Sequence, residues 1–270
     1  MRHRPHASGH DAAHDREDRI RTPREDEMKT TPQEAAEEPR ALPRVAGERF
    51  TGYAVIGAPF ASGHCLALRR FTAGSVGPAF TAVWHRDPQG HWTVYSDAAP
   101  EHGCARYLGA ALTRTVRTDV AAEWTGSSRL HITAGDDVVW DVRVFSSPAT
   151  TLATLAGRLL PDAARHNPAV LAAVARVAGP VLGAGRIRLT GNVPNGQWFR
   201  AAPRRLWSAR TLAAVVGGVD LGPDGPLPEQ ERLGDFRIPQ RALFATVDAW
   251  FEPFDPRRHA PASPGGALTC

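Results

Sequence analysis

From Phe50 onward, apolar residues recur at every second position in short runs broken by Gly and Pro. Segments 50–57, 64–72, 78–86 and 91–97 read as strands on this period. The stretch Ala82-Val-Trp-His-Arg-Asp-Pro-Gln-Gly-His-Trp-Thr-Val-Tyr95 predicts a hairpin. Its turn, Asp87-Pro88-Gln89-Gly90, carries type I residues: Asp first, Pro second, Gly fourth. A clearer alternation follows. Val116, Thr118, Val120, Ala122 and Trp124 fall on one side of a ribbon, as do Leu130 with Ile132, and Val138, Trp140, Val142 and Val144. Gly126-Ser-Ser and Gly135-Asp-Asp lie between the runs. Together they predict an antiparallel meander with one buried and one wet face.

The period then changes. Ser147-Pro148 and Asn167-Pro168 each pair a good N-cap with Pro at the first helical position. Helices are predicted at about 149–160 and 168–182. The second places Val170, Leu171, Val174, Val177, Ala178, Val181 and Leu182 on one stripe, with Pro180 near its end. Strands resume at 186–190 and 197–200, then at 205–209, 212–216 and 241–251. The expected fold is mainly β with a helical insertion (α+β): an antiparallel curved sheet or β-barrel covered by two helices at about 149–182.

Residues 1–45 are rich in Arg, Asp, Glu, Pro and His and nearly free of large apolar side chains. Such a segment cannot bury enough surface to offset its ordering entropy, so a disordered charged tail is expected there. A single β-rich globular domain is expected over 46–255, and a second disordered tail over 256–270. His3, His6, His10 and His14 have the spacing of a metal-binding helix face, but nothing else supports a helix. Met28 offers an alternative translation start.

Composition narrows the chemistry. The sole lysine is Lys29, so the region 46–255 is without a Lys Schiff base, a Lys general base or a P-loop Lys. The net charge is +4, but the arginines are spread among acids rather than gathered in a basic stripe, so no nucleic-acid partner is expected. The three cysteines, Cys65, Cys104 and Cys270, show no metal-ligand spacing; with a charged rather than apolar first segment, they favour a cytoplasmic chain. The longest apolar run, 169–183, is interrupted by Arg176 and too short to span a membrane. The Gly-rich stretch Gly179-Pro-Val-Leu-Gly-Ala-Gly185 follows a helix, so it reads as helix termination rather than a phosphate loop.

Reactive side chains are densest over 84–107. His91, Thr93, Tyr95 and Asp97 share one face of a strand, which lines a polar pocket floor if it turns inward and is a solvated face if not. Candidate catalytic residues are His85, Asp97 and Glu101, acting by acid–base transfer. Candidate ligand-binding residues are Tyr95, Arg106, Tyr107, Asp235 and Gln240. Arg106 has the competing role of an ion pair with Glu101 or Asp97. Asp235 and Gln240 flank apolar residues and serve equally as loop caps. Cys104 lies near His102 in sequence, which alone does not make it a nucleophile. Asn192, Asn195 and Gln197 read as turn chemistry. His85, His91, His102 and His131 lack ligand spacing, and no metal or cofactor is expected.

Two short resemblances bear on function. Trp92-Thr-Val-Tyr-Ser-Asp97, followed by Cys104-Ala-Arg-Tyr-Leu-Gly109, resembles the acetoacetate decarboxylase family, where a strand ending in Asp precedes Gly-Arg-Glu and a catalytic Lys. Arg106 matches the Arg, but Tyr107 replaces the Glu and no Lys follows. Decarboxylation through a Schiff base is therefore not implied. Ala122-Glu-Trp-Thr-Gly126, Val139-Trp-Asp-Val142 and Trp207 resemble the lipocalin-like carotenoid hydratase group, whose barrels hold apolar molecules. The core also resembles actinobacterial proteins, a likeness that adds no chemistry. The expected function is binding of a small, mainly apolar molecule in a barrel cavity, with or without cofactor-independent acid–base chemistry. The alternative is an interaction or scaffold module with a filled barrel, binding a partner through the helices or the face bearing Arg117, Asp119 and Glu123. A void of several hundred Å3 separates the two.

Overall fold

A computed structural model of the chain describes residues 30–42, 44–159, 161, 164 and 167–262. The histidines at 3–14, Met28, Lys29 and Cys270 lie outside them. A short helix, α1 (Pro32–Glu37), comes first. Strands β1 (Glu48–Pro59), β2 (Cys65–Gly74), β3 (Phe80–Arg86) and β4 (Trp92–Ser96) follow as antiparallel neighbours. The short helix α2 (Ala105–Leu108) leads to β5 (Arg114–Arg117), β6 (Val120–Gly126), β7 (Arg129–Ala134) and β8 (Val138–Phe145). Helices α3 (Pro148–Leu159) and α4 (Pro168–Val181) precede β9 (Thr190–Asn192) and the long β10 (Trp198–Val216). β11 (Val219–Asp220), the hairpin β12 (Arg232–Leu233) with β13 (Phe236–Arg237), and β14 (Leu243–Phe251) complete the order.

One sheet takes twelve of these strands, in the order β5-β4-β3-β2-β1-β14-β10-β8-β7-β6, with β9 and β11 added on β10. It curls strongly into a half-barrel, which brings β6 back toward β3. The expected α+β curved sheet with two covering helices is the architecture observed.

Local chemistry explains several elements. Asp87 Oδ1 accepts from the His91 backbone N–H at 2.9 Å, and Gly90 takes φ +91°, so the predicted turn closes the β3–β4 hairpin. Asn167 caps α4, its side chain accepting from the Ala169 and Val170 N–H groups, with Pro168 behind it. Ser147 and Thr150 bond each other's backbone N–H at the start of α3.

Four expectations need correction. The run 116–124 is two strands: its chain turns at Thr118, whose N–H bonds Ser96 O, and β5 lies parallel to β4 rather than in an antiparallel meander. The segment 186–190 is strand only from Thr190; Arg186 is held instead by Gln230, which binds its N–H and its carbonyl. The three short strands expected over 197–216 are a single one. Pro203 is tolerated because the register shifts between Pro203 and Arg205, where no ladder bond is needed. Finally, Pro32–Glu37 is helical inside the segment expected as tail, and buries Ala35 and Ala36 in the main core. At the other end, His259 is buried although it lies beyond 255.

The concave face is packed solid. Tyr53 and Val55 of β1, Leu66 and Leu68 of β2, Val83 and Tyr95, Leu130 and Ile132, Trp140, Trp207 and Phe244 form one cluster. This is the hydrophobic face the alternation predicted, but it is filled by side chains, as small closed sheets usually are. The other face of β1–β4, β14 and early β10 carries Phe50, Phe71, Phe80, Trp84, Phe199 and Phe251, under α2 and the loop residues Val193, Leu227 and Ile238. No helix among the described residues is long and apolar enough to cross a membrane.

Trp140 is fully buried at the centre of the concave cluster, and its Nε1–H donates to Thr211 Oγ1 at 3.2 Å. Trp140→Ala is expected to cost about 4 kcal/mol through lost burial and the cavity left behind. Urea unfolding reads this directly; a loss below about 1 kcal/mol would mean that the interior is loosely filled.

Candidate functional site

Strand alternation puts Gly52, Ala54 and Ile56 of β1 and Ala245, Val247 and Ala249 of β14 on the face away from the filled interior. These are small or medium side chains, so the sheet surface there is shallow. Helices α3 and α4 close onto it at one side, where Ala149, Ala153 and Ala178 pack with Ile56, Leu206 and Leu243 and Thr154 Oγ1 bonds the Leu206 backbone. Between them lies a cavity of about 770 Å3. Its floor includes Ala54, Ile56, Ala245 and Val247; its roof includes Leu152, Ala156 and Gly157 of α3 and Val174, Val177 and Val181 of α4. The predicted apolar stripe of α4 is therefore present but only partly packed. Leu171 and Ala175 are buried, whereas Val177 remains 65% and Val181 46% exposed. At the end of α4, Gly179 lets the 184–185 turn pass so close that a Cβ would lie 2.2 Å from Gly185 O. The Gly-rich stretch is helix termination and close packing.

Arg69 of β2 enters this cavity from the floor. It is 7% exposed. Its Nη1 donates to Val55 O at 2.9 Å and Leu68 O at 2.8 Å, and its Nη2 to Ile56 O at 3.2 Å. The guanidinium lies over the Trp84 ring, 4.2 Å from its centroid. Burial pulls Arg69 down to about 10, which still leaves it cationic at neutral pH. Beside it, burial pushes the Cys104 thiol up to about 11, although Trp84 and Arg69 favour the thiolate. Cys104 is thus a neutral thiol rather than an activated nucleophile. Cys65 is likewise buried, and pushed up to about 12.

A second polar group closes one end of the sheet. Glu48, at the start of β1, receives Arg106 Nη2 at 2.6 Å and Nε at 3.1 Å, Tyr107 Oη at 2.6 Å and Gln197 Nε2 at 3.3 Å. Asn195 donates to Gln197 Oε1 and to Arg106 O. Tyr107 stacks on Phe251 at 3.9 Å, and Arg106 lies over Phe254 at 4.8 Å. Burial alone would raise the Glu48 carboxyl. The hydrogen bonds from Arg106, Tyr107 and Gln197, with the Arg106 charge, instead hold it below its ordinary range. Burial and the Glu48 charge raise the Tyr107 hydroxyl far above a free phenol, so it stays a donor.

The residues singled out from the sequence scatter. Arg106 and Tyr107 come together, but on Glu48, not on Glu101 or Asp97. Tyr107 alone of the eight candidates lines the cavity. Tyr95 lies in the filled concave cluster. Asp97 accepts the Thr81 N–H at 2.8 Å, and Glu101 is exposed. His85 shares a 2.9 Å contact with His64, their rings stacked at 5.2 Å. Burial and the neighbouring His64 pull His85 down to about 4, a weak base at neutral pH. Asp235 accepts the Asn192 N–H, and Gln240 binds both the N–H and the carbonyl of Leu227, so both fasten loops. Among the described residues, no three His, Cys, Asp or Glu side chains converge as metal ligands would.

Sequence reasoning passed over Glu48, Arg69 and Trp84. Arg69 had a readable signal: in Ala67-Leu-Arg-Arg-Phe71 it shares a face with Ala67 and Phe71, so the alternation places a cation on an apolar face. Glu48 had none, because its partners lie 58 to 149 residues away.

The fold is a strongly curled half-barrel sheet with a few helices. Two solved structures give the comparison. An acetoacetate decarboxylase from Legionella pneumophila is similar at a TM-score of 0.38 and 8% identity, covering 83% of this chain and 91% of that one. An AttH-type protein from Nitrosomonas europaea is similar at a TM-score of 0.30 and 12% identity; 78% of this chain spans about half, 53%, of that one. At these TM-scores and identities no residue role or function passes through the likenesses. No protein-family model matches the chain, and no curated protein matches it in sequence.

Because the Glu48 carboxyl is held low in the folded state, its contribution is present above the ordinary glutamate range and is lost as pH falls through the folded value. Glu48→Gln is expected to cost about 2 kcal/mol at pH 7 and to flatten the acid limb of the stability profile below about pH 4.5. Urea midpoints measured from pH 7 to pH 3 test this; parallel profiles for the two proteins would contradict it.

Proposed function

We propose that this protein binds a small, mainly apolar molecule in the cavity between the α3–α4 pair and the outer face of the sheet. The observation that carries the reading is a void of about 770 Å3 lined by aliphatic and aromatic side chains, in a chain whose concave interior is filled. That volume falls in the range of ligand sites, and an apolar lining with few polar anchors is their usual character. The site is therefore outside the half-barrel rather than within it, and His85, Asp97 and Glu101 do not line it. The reading is one of binding. A reducing, cytoplasmic setting belongs to the same proposal, supported by the buried free thiols of Cys65 and Cys104.

The interaction-module reading draws on a separate observation. Val177 and Leu152 of the cavity lining are 65% and 61% exposed, and Leu159 at the end of α3 is 82% exposed, apolar surface that also suits a protein partner.

The neutral probe Nile red distinguishes the two. A Cβ on Gly157 meets nothing within 4 Å, and Gly157 lines the cavity, so Gly157→Trp adds bulk there without displacing protein. Wild-type protein is expected to bind the probe, Gly157→Trp to weaken binding about tenfold, equivalent to 1.4 kcal/mol, and Gly157→Ala to retain it. Probe binding unaffected by Gly157→Trp, with a monomer–oligomer equilibrium that Leu159→Glu abolishes, would favour the interaction module instead.

The same variants report on stability. Gly157→Ala removes a helix-interior glycine at no steric cost and should stabilise α3 by about 0.5–1 kcal/mol, measured as a rise in Tm. A fall in Tm would show that the roof needs the open space.

A further inference from the structure

Arg69 is the anomaly in an otherwise apolar cavity. At 7% exposure it is more than nine-tenths buried, yet no carboxylate among the described residues faces it. Desolvating a guanidinium costs several kcal/mol, and three backbone carbonyls recover only part of that. Val55 O, Leu68 O and Ile56 O take three of its five N–H groups. The other two make no hydrogen bond among the described residues. Trp84, whose ring the guanidinium covers, holds its buried Nε1–H beside the Cys104 sulfur and meets no nitrogen or oxygen acceptor. Both side chains line the cavity.

The charge of the lining points the same way. Five arginines border the cavity (Arg69, Arg188, Arg204, Arg205 and Arg237) against one acid, Asp248. That acid is already engaged: its Oδ1 accepts from Thr51 at 2.9 Å and its Oδ2 from Arg204 Nε at 2.6 Å. The lining is thus short of one negative charge at its buried end and rich in donors there. A carboxylate fits the shortage, since it brings one charge, accepts only, and matches the planar fork of a guanidinium.

We propose that the molecule taken up by this cavity is an amphipathic organic acid, with its carboxylate on Arg69 and Trp84 at the floor and its single apolar tail running out between α3 and α4. This deepens, and rests on, the reading of the cavity as a ligand site. The tail would lie against Leu152, Val177 and Val181, covering apolar surface that the protein itself leaves bare. The head would complete the coordination of a cation that the protein leaves without a counter-ion.

Three ten-carbon probes that differ only at the head, namely decanoate, decanol and decylamine, are competed against Nile red on the full chain. Decanoate is expected to displace the probe at least about tenfold better than decanol, with decylamine weakest. The preference should persist between about 0.05 and 0.5 M salt, because a buried pair is poorly screened whereas a mouth-bound anion is not. Arg69→Gln should lose the preference for decanoate over decanol while still binding Nile red and decanol.

The outcomes separate cleanly. If Nile red and all three probes fail to bind, the cavity reading itself falls. If decanol equals decanoate, the cavity stands as an apolar site and the acid-binding inference is overturned. A preference that collapses in high salt, or that survives Arg69→Gln, places the anion on the rim arginines and overturns it too. Should Arg69→Gln fail to fold, the salt comparison on the wild-type chain decides alone.

Discussion

Nineteen residues of one strand join the two halves of this protein. The first half of β10 pairs with β14 over Phe199–Ser208, and the second pairs with β8 over Ser208–Val216. Register shifts after Pro203 and Thr211 give it the irregularities that let a strand bend and twist. Without that bend the β6–β8 meander would continue a flat sheet. With it, β6 returns toward β3, and the side chains of both halves meet in one concave cluster. Trp140, Phe60 and Phe244 are fully buried there. The curl thus commits the large apolar side chains of both halves to the concave side, and the cavity of about 770 Å3 lies on the other face.

The two buried charge clusters show opposite solutions to one cost. At Glu48, Arg106, Tyr107 and Gln197 supply donors to one carboxylate, and Asn195 satisfies what remains. A network completed in this way ties the start of β1 to α2 and to the turn before β10, segments far apart in sequence. At Arg69 the carbonyls of β1 and β2 provide dipoles but no charge. The first cluster is closed and structural. The second is open on the side that faces the cavity, which is why the physical argument for a guest begins there and not at Glu48.

Features that depend on neighbours in sequence were legible, and features that depend on distant partners were not. The Asp87–Gly90 turn and the Asn167 cap are local chemistry, and both form as the residues dictate. The alternation over 130–144 is equally local and gives the right buried face. The parallel pairing of β4 with β5 is different: the Thr118 corner that permits it is fixed by a bond to Ser96. The face bearing Tyr95 was left open between inward and solvated, and whether an inward face borders a void depends on the summed volumes of side chains from nine strands. The apolar stripe of α4 was legible too, but the exposure of Val177 and Val181 within it was not. Of the candidate site, Tyr107 was reached by composition, whereas Arg69 was hidden because strand runs rich in Arg look solvated until the face of each residue is known.

That partly packed stripe bears on how the helices and a guest depend on each other. Val177 and Val181 sit on a well-capped helix, and their exposure leaves unrecovered the roughly 25 cal/mol per Å2 that burial of apolar area provides. The helix–sheet gap is held open by the small floor residues Ala54, Ala245 and Ala249 below and by the fixed ends of α4: the Asn167 cap at one, the Gly179–Gly185 contact at the other. A molecule that covers the stripe and neutralises Arg69 would recover both deficits at once, and by linkage would stabilise the α3–α4 pair as much as the pair stabilises it.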